Sequence, residues 1–256
     1  MPGRNTLKRR TAILESLSKK GKLSVKDLSK LHHVSDVSIR NDLIQLEKKG
    51  LLIRTRGGAI KNQPISIDPS LDQRLKSNLK EKQKIGARAA LFVQEGDTIV
   101  MDSGSTTIEV ARNLKKISGL KIITNSLPIA DVLADNKNIK VILPGGVLRG
   151  EMKSLTGSIT ERVIQTFNCD LAFIGADSII SDKGVFTPSV SEAALSNYMI
   201  KISRQVIVVA DSSKLNRRSF VKISDFKDID ILVTDRNILS KDVKIIENQG
   251  VQVIEV

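Results

Sequence analysis

One cysteine, two histidines, one tyrosine and no tryptophan in 256 residues remove several functions at once. The single thiol, Cys169, excludes an intrachain disulfide and fits a reducing compartment. The only histidines are neighbours, His32 and His33, so neither a His-rich metal site nor a Ser-His-Asp triad with a later histidine is available. Stacking of single-stranded bases on aromatic faces has little to work with. No apolar run approaches the roughly 18 residues of a membrane span, and no secretory pattern opens the chain. The expectation is a cytoplasmic protein with no metal, cofactor or membrane partner.

What is present is positive charge, unevenly placed. The net charge is +13, and residues 1–60 hold fourteen Lys and Arg against five Asp and Glu. That leaves +9 on the first 60 residues and +4 on the other 196. A merely solvated surface accounts for the sign of this excess but not for its concentration. A small basic head on a nearly balanced body points to a polyanion as partner of the head.

Within residues 1–60, Leu7, Ile13, Leu14 and Leu17 make an apolar stripe at helical spacing that ends at Lys19-Lys20-Gly21. Ser24-Val-Lys-Asp27 reads as a variant capping box opening a second helix, which is expected to bury Val25, Leu28 and Leu31. His32-His33-Val34 makes the turn and Ser35 is the next N-cap. In the third helix Ile39, Leu43 and Leu46 share one face. Val37, Ser38, Arg40, Asn41, Ile44, Gln45 and Lys48 lie on the opposite one. Leu51–Thr55 and Gly58–Ile60 read as two short strands joined at Arg56-Gly57-Gly58. That is a helix-turn-helix followed by a wing. Candidate contacts to duplex DNA are Ser24, Ser35, Asp36, Val37, Ser38, Arg40, Asn41, Gln45 and Lys48, with Arg54 and Arg56 on the wing. A three-helix protein-interaction module is the alternative for the same pattern.

Residues 61–84 read as a linker and connecting helix. Pro64 and Pro69 break a polar stretch, and a charged helical segment follows from Leu71 to Lys84. Residues 85–256 alternate apolar strands with amphipathic helices, the pattern of a mainly parallel α/β sheet. Expected strands are Thr98–Met101, Lys121–Ile123, Lys140–Leu143, Leu171–Ile174, Val206–Ala210, Ile231–Val233 and Val251–Ile254. Small polar loops follow several of them, at the ends where open α/β sheets bind ligands. In Asp102-Ser103-Gly104-Ser105-Thr106-Thr107, three hydroxyls stand beside a glycine at the start of an expected Thr107–Leu114 helix, an arrangement that suits a phosphate or serves only as a cap. Lys214, in Asp211-Ser-Ser-Lys214, is a candidate counter-charge. Neither loop matches a Walker A or a Rossmann fingerprint.

These residues together resemble a known family. Arg10-x-x-Ile-Leu14, Val34-Ser35-x-x-Ser38-Ile39-Arg40-Asn41-Asp42-Leu43, Leu46-Glu47-x-x-Gly50 and Arg54-x-x-Gly57-Gly58-Ala59 resemble the DeoR family of bacterial sugar-metabolism regulators. The resemblance continues through Gly96-Asp97-Thr-Ile, Asp102–Thr107, Thr124-Asn125-Ser126, Gly145-Gly146-x-Leu148-Arg149, Gly157, Asp170-x-Ala-Phe173-x-Gly175 and Asp211–Lys214. Ser38 stands where the family usually has Thr, and Asn41 where a second Arg is common. Asn41 can make the paired hydrogen bonds that favour adenine, so the operator preference is expected to differ. Ile39–Leu43 and Asp211–Asn216 are most similar to the amino-sugar (N-acetylgalactosamine-type) repressors of the family. The resemblance implies a sensor domain like ribose-5-phosphate isomerase. A phosphorylated sugar would lie against Ser103, Gly104, Ser105, Thr106 and Thr107, with Asp102, Thr124, Asn125, Ser126, Gly145, Asp177 and Lys214 around it.

Three functions compete: a ligand-controlled repressor, a sugar-phosphate isomerase with an accessory head, and an architectural DNA binder. Isomerisation needs a carboxylate base beside the carbonyl. Where the isomerases carry Asp-Gly-Ala-Asp-Glu, this chain has Ile174-Gly-Ala-Asp177-Ser178, so only Asp177 and Glu192 remain as candidates. An architectural binder has no need of several polar strand-end loops. The reading is therefore a DNA-binding repressor and not an enzyme. It is expected to act as a homo-oligomer, a dimer or tetramer, on operator DNA, under a sugar-phosphate effector.

Overall fold

The computed structural model describes residues 4–48, 51–55, 57–61 and 70–256. The chain divides into two compact units, residues 1–64 and 65–256.

The first unit runs α1 (Arg4–Lys20), β1 (Lys22–Ser24), α2 (Val25–His32), α3 (Asp36–Lys48), β2 (Leu52–Thr55) and β3 (Gly58–Lys61). The apolar stripes meet as expected: Ile13, Leu17, Val25, Leu28, Ile39, Leu43 and Leu46 form one buried cluster. Leu31 departs from the expectation. It is 61% exposed, because the stripe of an eight-residue helix is used up by Val25 and Leu28. Ser24 caps α2 by accepting from the Asp27 N–H at 3.0 Å, while its own hydroxyl donates to the Asp27 carboxylate at 2.7 Å. The wing gains a strand that periodicity did not reveal. β1 pairs with β3, giving the antiparallel order β1-β3-β2. Gly58 is required there, since a Cβ on it would stand 2.1 Å from the Leu23 carbonyl oxygen. Two charge-assisted contacts tie α1 to α3: Arg9 Nε and Arg10 Nε donate to the two oxygens of buried Asp42 at 2.6 and 2.7 Å.

The second unit opens with α4 (Leu71–Lys76) and α5 (Leu79–Ala90). It continues through β4 (Thr98–Met101), α6 (Ser105–Leu114), β5 (Lys121–Thr124), α7 (Leu127–Leu133), β6 (Lys140–Ile142), β7 (Val147–Arg149), β8 (Ser154–Thr156), α8 (Ser158–Ile164) and β9 (Cys169–Gly175). It ends with β10 (Ser178–Ile180), β11 (Gly184–Thr187), α9 (Val190–Lys201), β12 (Ser203–Val209), β13 (Val221–Ser224), β14 (Ile231–Thr234), α10 (Ser240–Glu247) and β15 (Gln252–Glu255). All seven strands expected from apolar runs enter one parallel sheet, in the order β15-β14-β12-β9-β4-β5-β6. Period-two alternation divides its side chains between two cores. Ile99, Met101, Leu171, Phe173, Ile207 and Val209 pack with α5, α6 and α7, and Val100, Ala172, Ile174, Val206 and Val208 pack with α9.

The segment expected to connect the units, up to residue 84, belongs to this unit from Leu71 onward: Leu71, Lys82 and Ile85 are all buried. It is two helices, broken where Asn78 adopts φ +50. The preceding stretch with Pro64 and Pro69 lies outside the described residues. The sheet reverses direction of growth between β4 and β9, since β5 and β6 extend it one way and β12, β14 and β15 the other. That switch point opens a crevice at the carboxyl ends of β4 and β9.

Candidate functional site

The crevice is lined from four directions. The β4–α6 loop supplies Asp102, Ser103 and Gly104, the first turn of α6 Ser105 and Thr106, and the end of β9 and the loop after it Gly175 and Asp177. Lys214 comes from the turn after β12, and Arg74 from α4. Asn125, Met152, Thr187 and Glu192 add to the walls, with apolar residues of α9 beside them. Gly104 is the N-cap of α6 and offers no side-chain oxygen to the first turn, so the helix start faces the crevice with donors and a positive dipole end.

The loop stays in place through two anchors. Thr107 Oγ1 accepts from the Gly104 N–H at 2.8 Å and lies 2.7 Å from the Gly104 carbonyl oxygen. Asp102 Oδ2 accepts from the Gly175 N–H at 2.8 Å, stitching β4 to β9 across the switch point. The other oxygen, Oδ1, is buried and has no hydrogen-bond partner among the described residues. Burial pushes the Asp102 carboxyl up to about 7, against the Gly175 hydrogen bond and reinforced by the charges of Glu192 and Asp177. A protonated Asp102 presents an O–H donor where an ionised one would present only an acceptor.

Opposite charges line the remaining walls as ion pairs. Arg74 Nη1 stands 2.5 Å from Asp177 Oδ1, and Arg149 at the end of β7 pairs with Glu192 in the first turn of α9. The Thr187 hydroxyl lies 3.0 Å from Asp177 and 3.2 Å from Glu192. Burial lowers the Lys214 ammonium from its ordinary value, while Asp177 raises it and Arg74 adds to the lowering. An anion in the crevice would oppose that lowering.

Of the residues expected around an effector, the structure brings Asp102, Ser103, Gly104, Ser105, Thr106, Asn125, Asp177 and Lys214 together. The other four do not line the crevice. Thr107 is fully buried and holds its own loop. Thr124 Oγ1 accepts from the Ser126 N–H at 3.1 Å, and Ser126 Oγ caps α7 by accepting from the Ile129 N–H. The Gly145 carbonyl accepts from Thr160 at 2.6 Å. A hydroxyl beside a helix start is as able to cap as to bind, and only the fold separates the two roles. Arg74 and Thr187 were missed. Arg74 sits in a charged segment that gives no local sign of pairing with Asp177 far along the chain.

In the head, Val37, Arg40, Asn41 and Gln45 stand exposed on α3, with Asp36 and Ser38 half-buried. Ser35 Oγ accepts from the Ser38 N–H at 3.2 Å and so caps the helix, and it lies 3.0 Å from the Ser38 hydroxyl. Ser24 is likewise engaged as a cap. Arg54 is exposed on the wing, its guanidinium 3.6 Å from Glu47. A groove between α3 and the wing is lined by Arg40, Arg54, Thr55 and Gly57. Arg56 and the Lys48 side chain lie outside the described residues. Among the described residues no helix is long and apolar enough to cross a membrane.

Comparison with known proteins agrees with both halves. A DeoR-like helix-turn-helix domain matches residues 9–64, and the DeoR C terminal sensor domain matches residues 77–236. A candidate aga operon transcriptional repressor of Escherichia coli O157:H7 is 36% identical over 97% of this chain and 93% of its own. The transcriptional repressor GlcR of Bacillus subtilis is 36% identical over 89% of this chain and 88% of its own. Among solved structures, ribose 5-phosphate isomerase A of Methanocaldococcus jannaschii is similar over 54% of this chain and 55% of its own, at 18% identity and a TM-score of 0.41. With a helix-turn-helix at its amino end and a parallel-sheet sensor behind it, the chain belongs to the DeoR family of transcriptional regulators.

Proposed function

We propose that this regulator represses a sugar-metabolism operon and that a phosphorylated sugar in the crevice releases it from DNA. The observation that supports this reading is the convergence of the α6 amino end, Ser103, Ser105, Thr106 and Lys214 at the switch point of the sheet. A phosphate would take the helix start and the ammonium, and sugar hydroxyls would take Asp102, Asn125 and the Asp177–Glu192 wall. The head would lay α3 in a major groove, with Arg40, Asn41 and Gln45 on base edges and Arg54 on the backbone.

Release requires that the effector bind the two states of the protein with different affinity. In our reading the working form is a homo-oligomer, at least a dimer, that spaces two heads on paired half-sites in the cytoplasm. It carries no resident cofactor. We read it as a regulator without turnover, because Ile174 and Ser178 stand where the isomerases carry two of their three carboxylates.

Fluorescence anisotropy on a labelled promoter fragment, titrated with sugar phosphates and with the parent sugars, tests the proposal. A phosphorylated member should lower operator affinity and its unphosphorylated parent should not. If no sugar phosphate changes operator affinity, or if free sugars act equally well, the proposal fails. Aldose–ketose turnover with any of them would overturn the non-enzymatic part.

A further inference from the structure

The helix α4 holds an unusual position for a segment that follows a linker. Its one long cationic residue inside the body, Arg74, reaches the crevice and is paired there with Asp177 at 2.5 Å. Both side chains are largely shielded from water, at 11% and 15% exposure. At its amino end the Leu71 N–H donates to the Glu151 carbonyl at 3.0 Å, and Asp72 pairs with Lys153. Met152, between those two partners, is itself a crevice residue. At its carboxyl end the buried Lys82 ammonium donates to the carbonyls of Arg74 and Ser77, at 2.5 and 2.6 Å. Next to it, the Asn78 amide reaches Asp211 at 2.8 Å and Ser213 at 3.1 Å, one residue short of Lys214. Thus α4 bridges two separate walls of the crevice and sends a guanidinium into it, while its backbone continues directly into the segment that leads to the DNA-binding head.

The geometry points to Arg74 as an effector ligand: on binding, its guanidinium exchanges Asp177 for the anionic group of the effector, and α4 carries that exchange to the linker. This rests on the phosphate-binding reading of the crevice. A guanidinium is well suited to such an exchange, because its planar fork fits a carboxylate and a phosphate equally. Asp177 and Arg74 both act electrostatically on Lys214, so an incoming dianion meets Arg74 and Lys214 and competes with Asp177 for the guanidinium. Lys82 holds the Arg74 carbonyl, so movement of the guanidinium is resisted at the helix end rather than absorbed by fraying there.

The test uses the full chain and inorganic phosphate as probe, with chloride at matched ionic strength as reference. Calorimetry gives affinities for wild type, Arg74→Gln, Arg74→Lys, Asp177→Asn, the double variant Arg74→Gln/Asp177→Asn, and Lys214→Gln. Hydrogen exchange reports on residues 71–76. Arg74→Gln should weaken phosphate binding by about tenfold or more, the loss expected for charge-assisted hydrogen bonds. Asp177→Asn should strengthen it, and that gain should shrink in the double variant, where only the effect of Asp177 on Lys214 remains. Phosphate should change amide protection across 71–76 in wild type but not in Arg74→Gln. Thermal unfolding checks each variant; Arg74→Lys, which keeps the charge but not the fork, should fall between wild type and Arg74→Gln, and Arg74→Met replaces Arg74→Gln if the latter does not fold.

Wild-type affinity in Arg74→Gln, or an Asp177→Asn gain of equal size in both backgrounds, overturns the exchange. A wild type that binds no phosphate, or a Lys214→Gln variant that binds as wild type, overturns the phosphate reading itself and the exchange with it.

Discussion

Replacing Asp102 by asparagine should change how the stability of the sensor domain depends on pH. The carboxyl is raised from 3.8 to about 7 by burial at the β4–β9 junction. Because the folded value lies above the unfolded one, the folded state holds its proton more tightly. The stabilisation from that proton is complete below pH 3.8 and is lost as pH rises to about 7. A difference of about 3 units corresponds to about 4 kcal/mol in all, of which about 2–3 kcal/mol falls between about pH 5 and about pH 8. The Asp102→Asn variant keeps an oxygen for the Gly175 N–H and cannot ionise, so this loss should be absent. Urea unfolding of both proteins at the two pH values measures it. The stability of the variant relative to wild type should improve by about 2–3 kcal/mol on going from the acid to the alkaline condition. Parallel profiles would show that Asp102 titrates alike in the folded and unfolded chain, and the burial argument would be wrong.

Other expectations follow from the same contacts. Arg40→Ala should weaken operator binding by about 1–3 kcal/mol in gel-shift titrations, the range for a bidentate base contact, and relax preference at one base pair. Lys214→Ala should shift the effector concentration needed for operator release upward by about tenfold or more, read by anisotropy against operator affinity without effector. Asp42→Ala removes the shared acceptor of Arg9 and Arg10 and should destabilise the head by about 3 kcal/mol, lowering its thermal midpoint. Gly58→Ala should cost about 1–3 kcal/mol, because its Cβ would force β1 and β3 apart.

Much of this architecture was legible in local pattern. An apolar run flanked by turn residues marks a buried parallel strand wherever its partners lie, and all seven strands of the main sheet were found in that way. The caps at Ser24 and Ser35 and the apolar faces of α1 and α3 depend on spacing within a few residues, so they too could be read directly. The antiparallel β10-β11-β13 sheet and the β7-β8 hairpin were not read, because three- and four-residue strands carry too little periodicity.

The division at the site has the same origin. Sequence alone determined that the chain has a basic helix-turn-helix head, a parallel α/β body, and hydroxyl- and glycine-bearing loops at strand ends. Tertiary structure decided which hydroxyls face the crevice and which are spent on caps, as Thr106 and Thr107 show from adjacent positions. It also decided that Gly86, an unfavourable residue within α5, lets α6 approach until a Cβ would stand 2.6 Å from the Glu109 backbone. Above all it brought Arg74 to Asp177 and Arg149 to Glu192. Capping and periodicity are set by neighbours a few bonds away, whereas these pairings depend on where the sheet carries distant loops.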